Sequence, residues 1–168
     1  MMNKYLLLTA VVAVTGFAYA EEKKDAPAGA PAAGEKAAAG DVAKVKLGVI
    51  PAVMKFDKAE FEVKAGQKVM LLFANEKCPL QHNIIICKPG SKDKVGAEAD
   101  KMLTDPNALK NHYVPASDDV LIKGNKLIGP GQSDLIEFTA PAEPGDYPYI
   151  CTFPGHWRLM NGVMKVVK

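Results

Sequence analysis

Four side chains in this chain have the types and spacing of a metal site. Cys151, His156 and Met160 follow one another at C-x4-H-x3-M spacing, and His82 lies far upstream, directly before Asn83. A thiolate, two imidazoles and a weak axial thioether are the ligand set of a mononuclear blue-copper centre, which carries one electron as Cu(II)/Cu(I). The pattern therefore predicts one type 1 copper ion bound by His82, Cys151, His156 and Met160.

The residues between the ligands favour this interpretation over a chance arrangement. The alternative is a core cysteine, a surface histidine and a core methionine that fall at this spacing by chance and bind no metal. Pro154 and Gly155 form a step typical of a tight turn, which would direct the side chains of Cys151 and His156 to one point. The proline also removes a backbone donor and stiffens the loop.

Segment 151–160 resembles the copper-binding loop of azurin and of the azurin-like auracyanins, where the same ligand types occur at the same spacing. The resemblance covers roughly residues 42–168. It includes Phe73-Ala74-Asn75, Tyr113-Val114-Pro115, Asp119-Val120, Lys126-Leu127-Ile128-Gly129 and Ser133-Asp134. It implies an all-β fold, a cupredoxin-like Greek-key β-sandwich of about eight strands with one short helical insertion. This chain has no cysteine that could form the N-terminal disulfide of azurins.

The resemblance also implies roles for residues beside the ligands. Asn83 would tie the two ligand-bearing segments together and direct its backbone N–H at the Cys151 sulfur, and the N–H of Phe153 is a second candidate donor. A weak contact from the carbonyl of Gln81, where azurins often have glycine, is also implied. The alternative for Asn83 is a simple turn residue.

His156 is implied to be the point where the electron leaves, with its outer ring edge exposed in an apolar docking patch. Four residues are candidates for this patch: Pro79, Leu80, Pro154 and Trp157. Trp157 is the only tryptophan in the sequence. A core position is the alternative for Trp157, but its place directly after His156 favours the rim, and aromatic side chains are common at interfaces.

The first 20 residues have the pattern of a secretory signal peptide. Lys4 precedes an apolar run, and Ala18-Tyr19-Ala20 is a cleavage site of the A-x-A type. The apolar run is short for a membrane span of ~20 residues. We therefore expect cleavage near Ala20 and export to the bacterial periplasm, and the alternative is an uncleaved leader that serves as a membrane tether.

Composition then divides the rest of the chain in two. Residues 21–41 are rich in Ala, Pro, Gly, Glu and Lys without apolar periodicity, which predicts a disordered linker. Residues 42–168 form the predicted domain. Its candidate strands are 45–49, 61–63, 69–73, 82–87, 133–138, 145–151 and 162–167. Residues 94–110 are the predicted helical insertion, broken at Asp105-Pro106.

Charge and histidine content limit the function classes. The net charge is +2, and loss of Lys4 with the leader would leave +1, which argues against a nucleic-acid partner. Redox proteins, such as c-type cytochromes or exported oxidoreductases, are the expected partners of an electron carrier. An oxidase or nitrite reductase would need a further copper site, and His112, expected to be solvated, is the one histidine left.

Two further alternatives are open, one for the function of the protein and one for the state of its other two cysteines. A copper chaperone or storage protein is the alternative function, although such proteins favour exposed Met/His-rich sites or cysteine pairs. Cys78 and Cys87 are either paired or two free thiols. An extended run over 82–87 spans about 16 Å at ~3.3 Å per residue, so a bridge requires the loop before His82 to fold back.

Overall fold

The computed structural model describes residues 41–122 and 125–168. The predicted signal peptide, 1–20, and nearly all of the predicted linker, 21–41, lie outside the described residues. Within the described ranges, no helix is both long enough and apolar enough to cross a membrane.

Short strands with one helix make up the described part of the chain. The strands are β1 Ala43–Gly48, β2 Glu60–Lys64, β3 Lys68–Asn75, β4 Ile85–Ile86, β5 Gln132–Thr139, β6 Gly145–Ile150 and β7 Asn161–Val167. The helix α1 spans Lys92–Lys101 and continues into a 3-10 turn at Met102–Thr104. The all-β prediction is confirmed, with seven strands where about eight were expected.

The strands form two sheets, ordered β1-β3-β5 and β2-β7-β6-β4. The first five strands alternate between the sheets, so each connection up to β5 crosses from one sheet to the other. β1 runs parallel to β3 and β2 parallel to β7, whereas the remaining neighbours are antiparallel. β6 and β7 are antiparallel neighbours, so the connection between them returns to the same end of the sandwich.

The predicted strand 82–87 is regular only at β4. His82 and Cys87 make isolated bridges to Ile128 and Val120. Between them, the carbonyl of Ile84 accepts a hydrogen bond from the side-chain amide of Asn125. At Ile84 a side chain therefore takes the place of the backbone partner that a regular strand would have. Single bridges are found where an eighth strand was expected.

Alternating residues of the strands fill the core between the sheets. Val69, Leu71 and Phe73 of β3 are buried, and they face Met164 and Val166 of β7 in one cluster. Each fully buried side chain of this kind contributes about 1.5–3 kcal/mol relative to exposure. This core fixes the strand ends from which the candidate ligands project.

Helix α1 covers a second, smaller core. Val95 and Ala99 pack with Ile85 of β4 and Ile150 of β6. Because the neighbouring residues Ile86 and Tyr149 belong to the main core, Ile85 and Ile150 point to the opposite, outer face of their sheet. The predicted insertion is thus a ten-residue helix on that face, shorter than the expected 94–110.

Candidate metal centre

Three of the four predicted ligands lie on the connection between β6 and β7. Cys151 directly follows β6, Met160 directly precedes β7, and His156 lies between them. The N–H of Cys151 donates to the carbonyl of Met160 at 3.0 Å, and the N–H of Met160 donates to that of His156 at 2.8 Å. Gly155 has a φ of 80°, a conformation that glycine adopts without strain. The loop is therefore closed on itself and held by two strand ends.

His82, which lies 69 positions before Cys151 in the sequence, comes close to the same loop. Its backbone is fixed by paired hydrogen bonds with Ile128, at 2.9 and 2.8 Å. The Cys151 Sγ lies 3.7 Å from the His82 Nδ1 and 3.6 Å from the His156 Nδ1. The three ligand atoms all lie within 4.8 Å of one another. The exposed fraction is zero for His82 and Cys151 and 4% for His156.

These distances fit a single metal ion between the three side chains. A first-row ion bonded at about 2.0–2.3 Å to nitrogen and sulfur, with angles of about 120°, separates its ligand atoms by about 3.6–3.8 Å. Two imidazoles and one thiolate, with the buried Met160 on the same loop as two of them, favour copper among such ions. The donor set and spacing therefore fit a type 1 copper.

Burial prepares the histidines to act as neutral ligands. It lowers the pKa of His82 to about 4, with a smaller contribution from the charge of His156. Burial likewise lowers the pKa of His156. Both imidazoles are therefore uncharged near neutral pH, as metal ligation requires.

Burial shifts the pKa of the Cys151 thiol in the opposite direction. Burial raises its pKa to about 12, against which hydrogen bonds from the backbone N–H groups of Asn83 and Phe153 act to lower it. These two N–H groups are the donors that the resemblance implied. Two N–H donors alone leave the thiol protonated, so a bound cation must supply the remaining stabilisation of the thiolate.

Asn83 joins the two ligand-bearing segments. Its Oδ1 accepts from the backbone N–H of Thr152 at 2.8 Å, and its Nδ2 donates to the Thr152 hydroxyl at 2.9 Å. Nδ2 also donates to the carbonyl of His112 at 2.8 Å. Thr152 in turn donates to the carbonyl of Tyr113 at 2.5 Å. The residue after His82 is therefore fixed to the residue after Cys151.

His112 and Tyr113 support this network through backbone atoms. Both have positive φ, 54° and 53°, in the left-handed region that residues other than glycine seldom adopt. This turn directs the two carbonyls at Asn83 and Thr152, while the His112 side chain is exposed. Neither Thr152 nor these carbonyls were predicted. The one signal in the sequence was a hydroxyl residue, Thr152, directly after Cys151.

Met160 and Gln81 complete the predicted set. Met160 is fully buried, and its backbone is bonded to both Cys151 and His156. The axial role of its side chain stays a prediction. Gln81 is exposed, and the contact of its carbonyl with the metal stays a prediction.

An open apolar pocket of about 490 Å³ lies beside the His82 ligand. It is lined by Ala52, Val53, Met54, Lys55, Cys78, Pro79, Leu80, His82 and Leu159. Pro79 and Leu80 of the predicted docking patch lie here, while Pro154 is half-buried on the ligand loop. Val53, Met54 and Leu159 were not foreseen, and all three are exposed. We call these three residues, with Pro79 and Leu80, the apolar patch.

Trp157 does not belong to this patch, and its predicted rim position is wrong. It is 8% exposed and packs in the second core. Its ring lies so close to the backbone of Gly96 that a β-carbon there would clash with it. Its indole N–H donates to Asp100 at 2.9 Å, and the guanidinium of Arg158 binds the same carboxylate. Contacts with helix α1 therefore hold the indole in the second core.

All three cysteines of the chain are free in the structure, so the alternative of a disulfide between Cys78 and Cys87 is not realised. Cys78 lies beside His82, and Cys87 lies in the second core under α1. The two thiols therefore occupy different environments, one beside a candidate ligand and one under helix α1.

Comparisons with known proteins agree with this geometry. A family model described as copper-binding proteins of the plastocyanin/azurin family matches residues 43–167. Auracyanin-A from Chloroflexus aurantiacus is 35% identical over 122 residues, which cover 73% of this chain and 73% of that protein. Azurin-1 from Alcaligenes xylosoxydans xylosoxydans is 37% identical over 123 residues, which cover 68% of this chain and 90% of that protein.

The fold has solved counterparts. The structure of auracyanin A, described as a blue copper protein from Chloroflexus aurantiacus, superimposes with a TM-score of 0.67 at 33% identity. It covers 75% of this chain and 99% of that chain. Since the family model spans most of the chain and the ligand geometry suits its metal, this protein belongs to the plastocyanin/azurin family of copper-binding proteins.

Proposed function

We propose that this protein is an exported one-electron carrier between redox proteins. The observation that carries the proposal is the buried cluster of His82, Cys151 and His156, whose ligand atoms already have the spacing of a bound ion. When bound, copper supplies a one-electron couple, Cu(II)/Cu(I), at this cluster.

The polypeptide contributes rigidity to this function. The backbone bonds within loop 151–160 and the contacts of Asn83 with Thr152 hold the ligands from two separate segments. A site held in this way cannot rearrange much when the charge of its ion changes, so the rearrangement that limits electron transfer stays small. Such rigidity favours a carrier over a site built for metal release.

The apolar patch is the proposed docking surface for redox partners. Leu80 is 46% exposed and Leu159 58%, and both border the pocket that reaches His82. A small apolar surface with a net charge near zero suits brief contacts with proteins such as c-type cytochromes or exported oxidoreductases. His156, which was predicted to be exposed in the docking patch, is buried, with 4% of its surface exposed, and it does not line this pocket; it stays the proposed point of electron exit.

Copper handling, as a chaperone or store, is the second candidate function. It would require ready exchange of the ion, whereas the three clustered ligands are buried and two of them are fully so. An enzymatic role is not proposed, because a further copper site needs histidines beyond His112. Export is proposed from the leader pattern at residues 1–20, with the periplasm as destination.

Stopped-flow mixing with a c-type cytochrome, combined with a chelator challenge, tests the carrier against the chaperone. We expect the reduced copper protein to reduce the cytochrome with one-to-one stoichiometry, while a Cu(I) chelator removes the ion far more slowly. Rapid loss of copper to the chelator, with no reduction of the cytochrome, would favour copper handling instead.

A further inference from the structure

Cys78 has a contact with the metal site that its sequence position does not suggest. It lies three residues after β3 and is 4% exposed. Its Sγ is 3.2 Å from the Nε2 of His82, the ring nitrogen that faces away from Cys151. Both side chains are buried, so this contact forms away from bulk water.

The chemistry of His82 fixes the direction of the hydrogen bond. Its Nδ1 faces the Cys151 sulfur and is the nitrogen that would bind the metal. A neutral imidazole that binds through Nδ1 carries its proton on Nε2. That N–H therefore donates to the Cys78 sulfur, which accepts the bond as a weak acceptor.

The position of Cys78 is built into the loop that carries it. The buried side chain of Asn75 accepts from the Cys78 N–H at 3.0 Å through its Oδ1. Its Nδ2 donates to the carbonyl of Leu80 at 2.8 Å. One asparagine thus folds segment 75–80 back toward the ligand, and Pro79 stiffens it. The sulfur is presented to His82 by this folded segment.

We propose that Cys78 is a positioning residue for His82, and that its sulfur sets how strongly this histidine favours Cu(II) over Cu(I). Metal-binding histidines commonly donate their second N–H to an oxygen, which orients the ring and raises its basicity. A sulfur acceptor orients the ring equally but raises its basicity less. The imidazole of His82 is therefore a weaker donor to Cu(II), and the reduced state gains in relative stability.

Substitution at Cys78 separates this role from simple packing. In Cys78→Ala the N–H of His82 loses its acceptor, and we expect Cu(II) affinity to fall about tenfold, the lower end for loss of such a partner. If Cu(I) affinity is unchanged, the reduction potential rises by about 59 mV. Cys78→Ser supplies an oxygen acceptor in the same place, so we expect the potential to fall below the wild-type value.

A second measurement follows the hydrogen bond itself. In the diamagnetic Cu(I) protein, nitrogen-15 NMR reports exchange of the His82 Nε2–H with water. We expect slow exchange in the wild type and in Cys78→Ser, and exchange at least tenfold faster in Cys78→Ala. This readout does not depend on electron transfer.

Cys87→Ala is the matched control. It removes a buried thiol from the second core, where the sulfur has no ligand contact. It should lower thermal stability as Cys78→Ala does, but leave the potential and the His82 exchange rate unchanged. If both Cys78 variants shift the potential in the same direction, or neither shifts it, the sulfur does not tune His82 and the proposal is wrong. Loss of copper from Cys78→Ala but not from Cys78→Ser would support it.

The inference rests on the proposed function, because the reduction potential of the copper matters to an electron carrier. The carrier role and the positioning role of Cys78 can nevertheless be refuted separately. Absence of exchange with any cytochrome would overturn the carrier role and leave the potentials and N–H exchange rates intact. Equal potentials in the Cys78 variants would overturn the positioning role and leave cytochrome reduction intact.

Discussion

Asn83 and Thr152 are joined by two hydrogen bonds across 69 positions of sequence. The backbone N–H of Thr152 donates to the side chain of Asn83 at 2.8 Å, and the Asn83 amide donates to the Thr152 hydroxyl at 2.9 Å. Each residue directly follows a proposed ligand, His82 or Cys151. This pair therefore fixes the two segments to each other beside the ligands, next to the β4–β6 ladder at Ile85 and Ile150.

Asn83→Ala should loosen the metal site more than it disturbs the sandwich. The change leaves the buried N–H of Thr152 without its partner, at about 1–3 kcal/mol for an unsatisfied buried group. We expect a lower unfolding temperature and weaker copper binding, measured by thermal denaturation and chelator competition. Asn111→Ala, an exposed asparagine, should change neither, and equal copper affinity in the two variants would refute the role of the pair.

Met160→Leu should keep the copper and raise the reduction potential. Leucine fills a similar volume in this fully buried position, so the fold should lose less than about 1.5 kcal/mol. Removal of the weak thioether donor favours Cu(I) over Cu(II). Potentiometric titration of the visible band measures the shift, and complete loss of copper would show that Met160 is a main ligand.

The carboxylate of Asp100 should stabilise the fold in a pH-dependent way. Hydrogen bonds from Arg158 and Trp157 lower its pKa. A carboxyl with a lower pKa in the folded state contributes fully above its unfolded pKa of about 3.9. That contribution, about 0.2–1 kcal/mol for a partly exposed pair, is lost as pH falls through the folded pKa.

Urea unfolding of the metal-free protein between neutral pH and pH 3 measures this effect. Asp100→Asn should be less stable than wild type near neutral pH, and the difference should shrink as the solution becomes acidic. Asp118→Asn alters an exposed carboxyl and should show no such difference. A gap between Asp100→Asn and wild type that is independent of pH would mean that Asp100 acts through shape alone.

Leu80→Glu should slow electron exchange between two copies of the copper protein. Burial of the new charge in a docked pair costs several kcal/mol unless it is matched, and about 1.4 kcal/mol already lowers a rate tenfold. We expect at least a tenfold slower exchange with an unchanged visible spectrum. Leu103→Glu places the same charge at another exposed leucine, outside the apolar patch, and should have little effect.

If the Leu80 and Leu103 variants exchange electrons equally fast, with intact spectra, docking takes place on another face. NMR line broadening on mixing the two oxidation states measures the rates. Varying the ionic strength separates a local effect of the charge from long-range repulsion, since salt screens exposed charges beyond ~8–10 Å.

Local pattern was enough to predict most strands and the ligand loop, whereas the Greek-key sandwich was implied by the family resemblance. Alternating burial in β3 and β7 follows the apolar pattern of their sequences. Loop 151–160 is short and lies between two neighbouring strands, so spacing alone predicted which of its side chains could meet. These are the parts in which structure depends on residues close in sequence.

Contacts between distant segments could not be read in the same way. Trp157 turned inward because α1, more than 50 residues earlier, places Gly96 and Asp100 against it. Val53 and Met54 joined the apolar patch from the connection between β1 and β2. The contact of Cys78 with His82 depends on a side-chain fold of segment 75–80. To predict any of these contacts, the sheet topology must be known first.

One-electron cycling of a copper held by Cys151 is tested most directly by coulometric titration of the copper-loaded protein, followed at its visible band. One electron per protein should bleach an intense blue colour, an oxidant should restore it, and the copper content should stay constant. Cys151→Ser should remain folded and show no such band. A blue Cys151→Ser protein, or release of copper on reduction of the wild type, would contradict the proposed carrier.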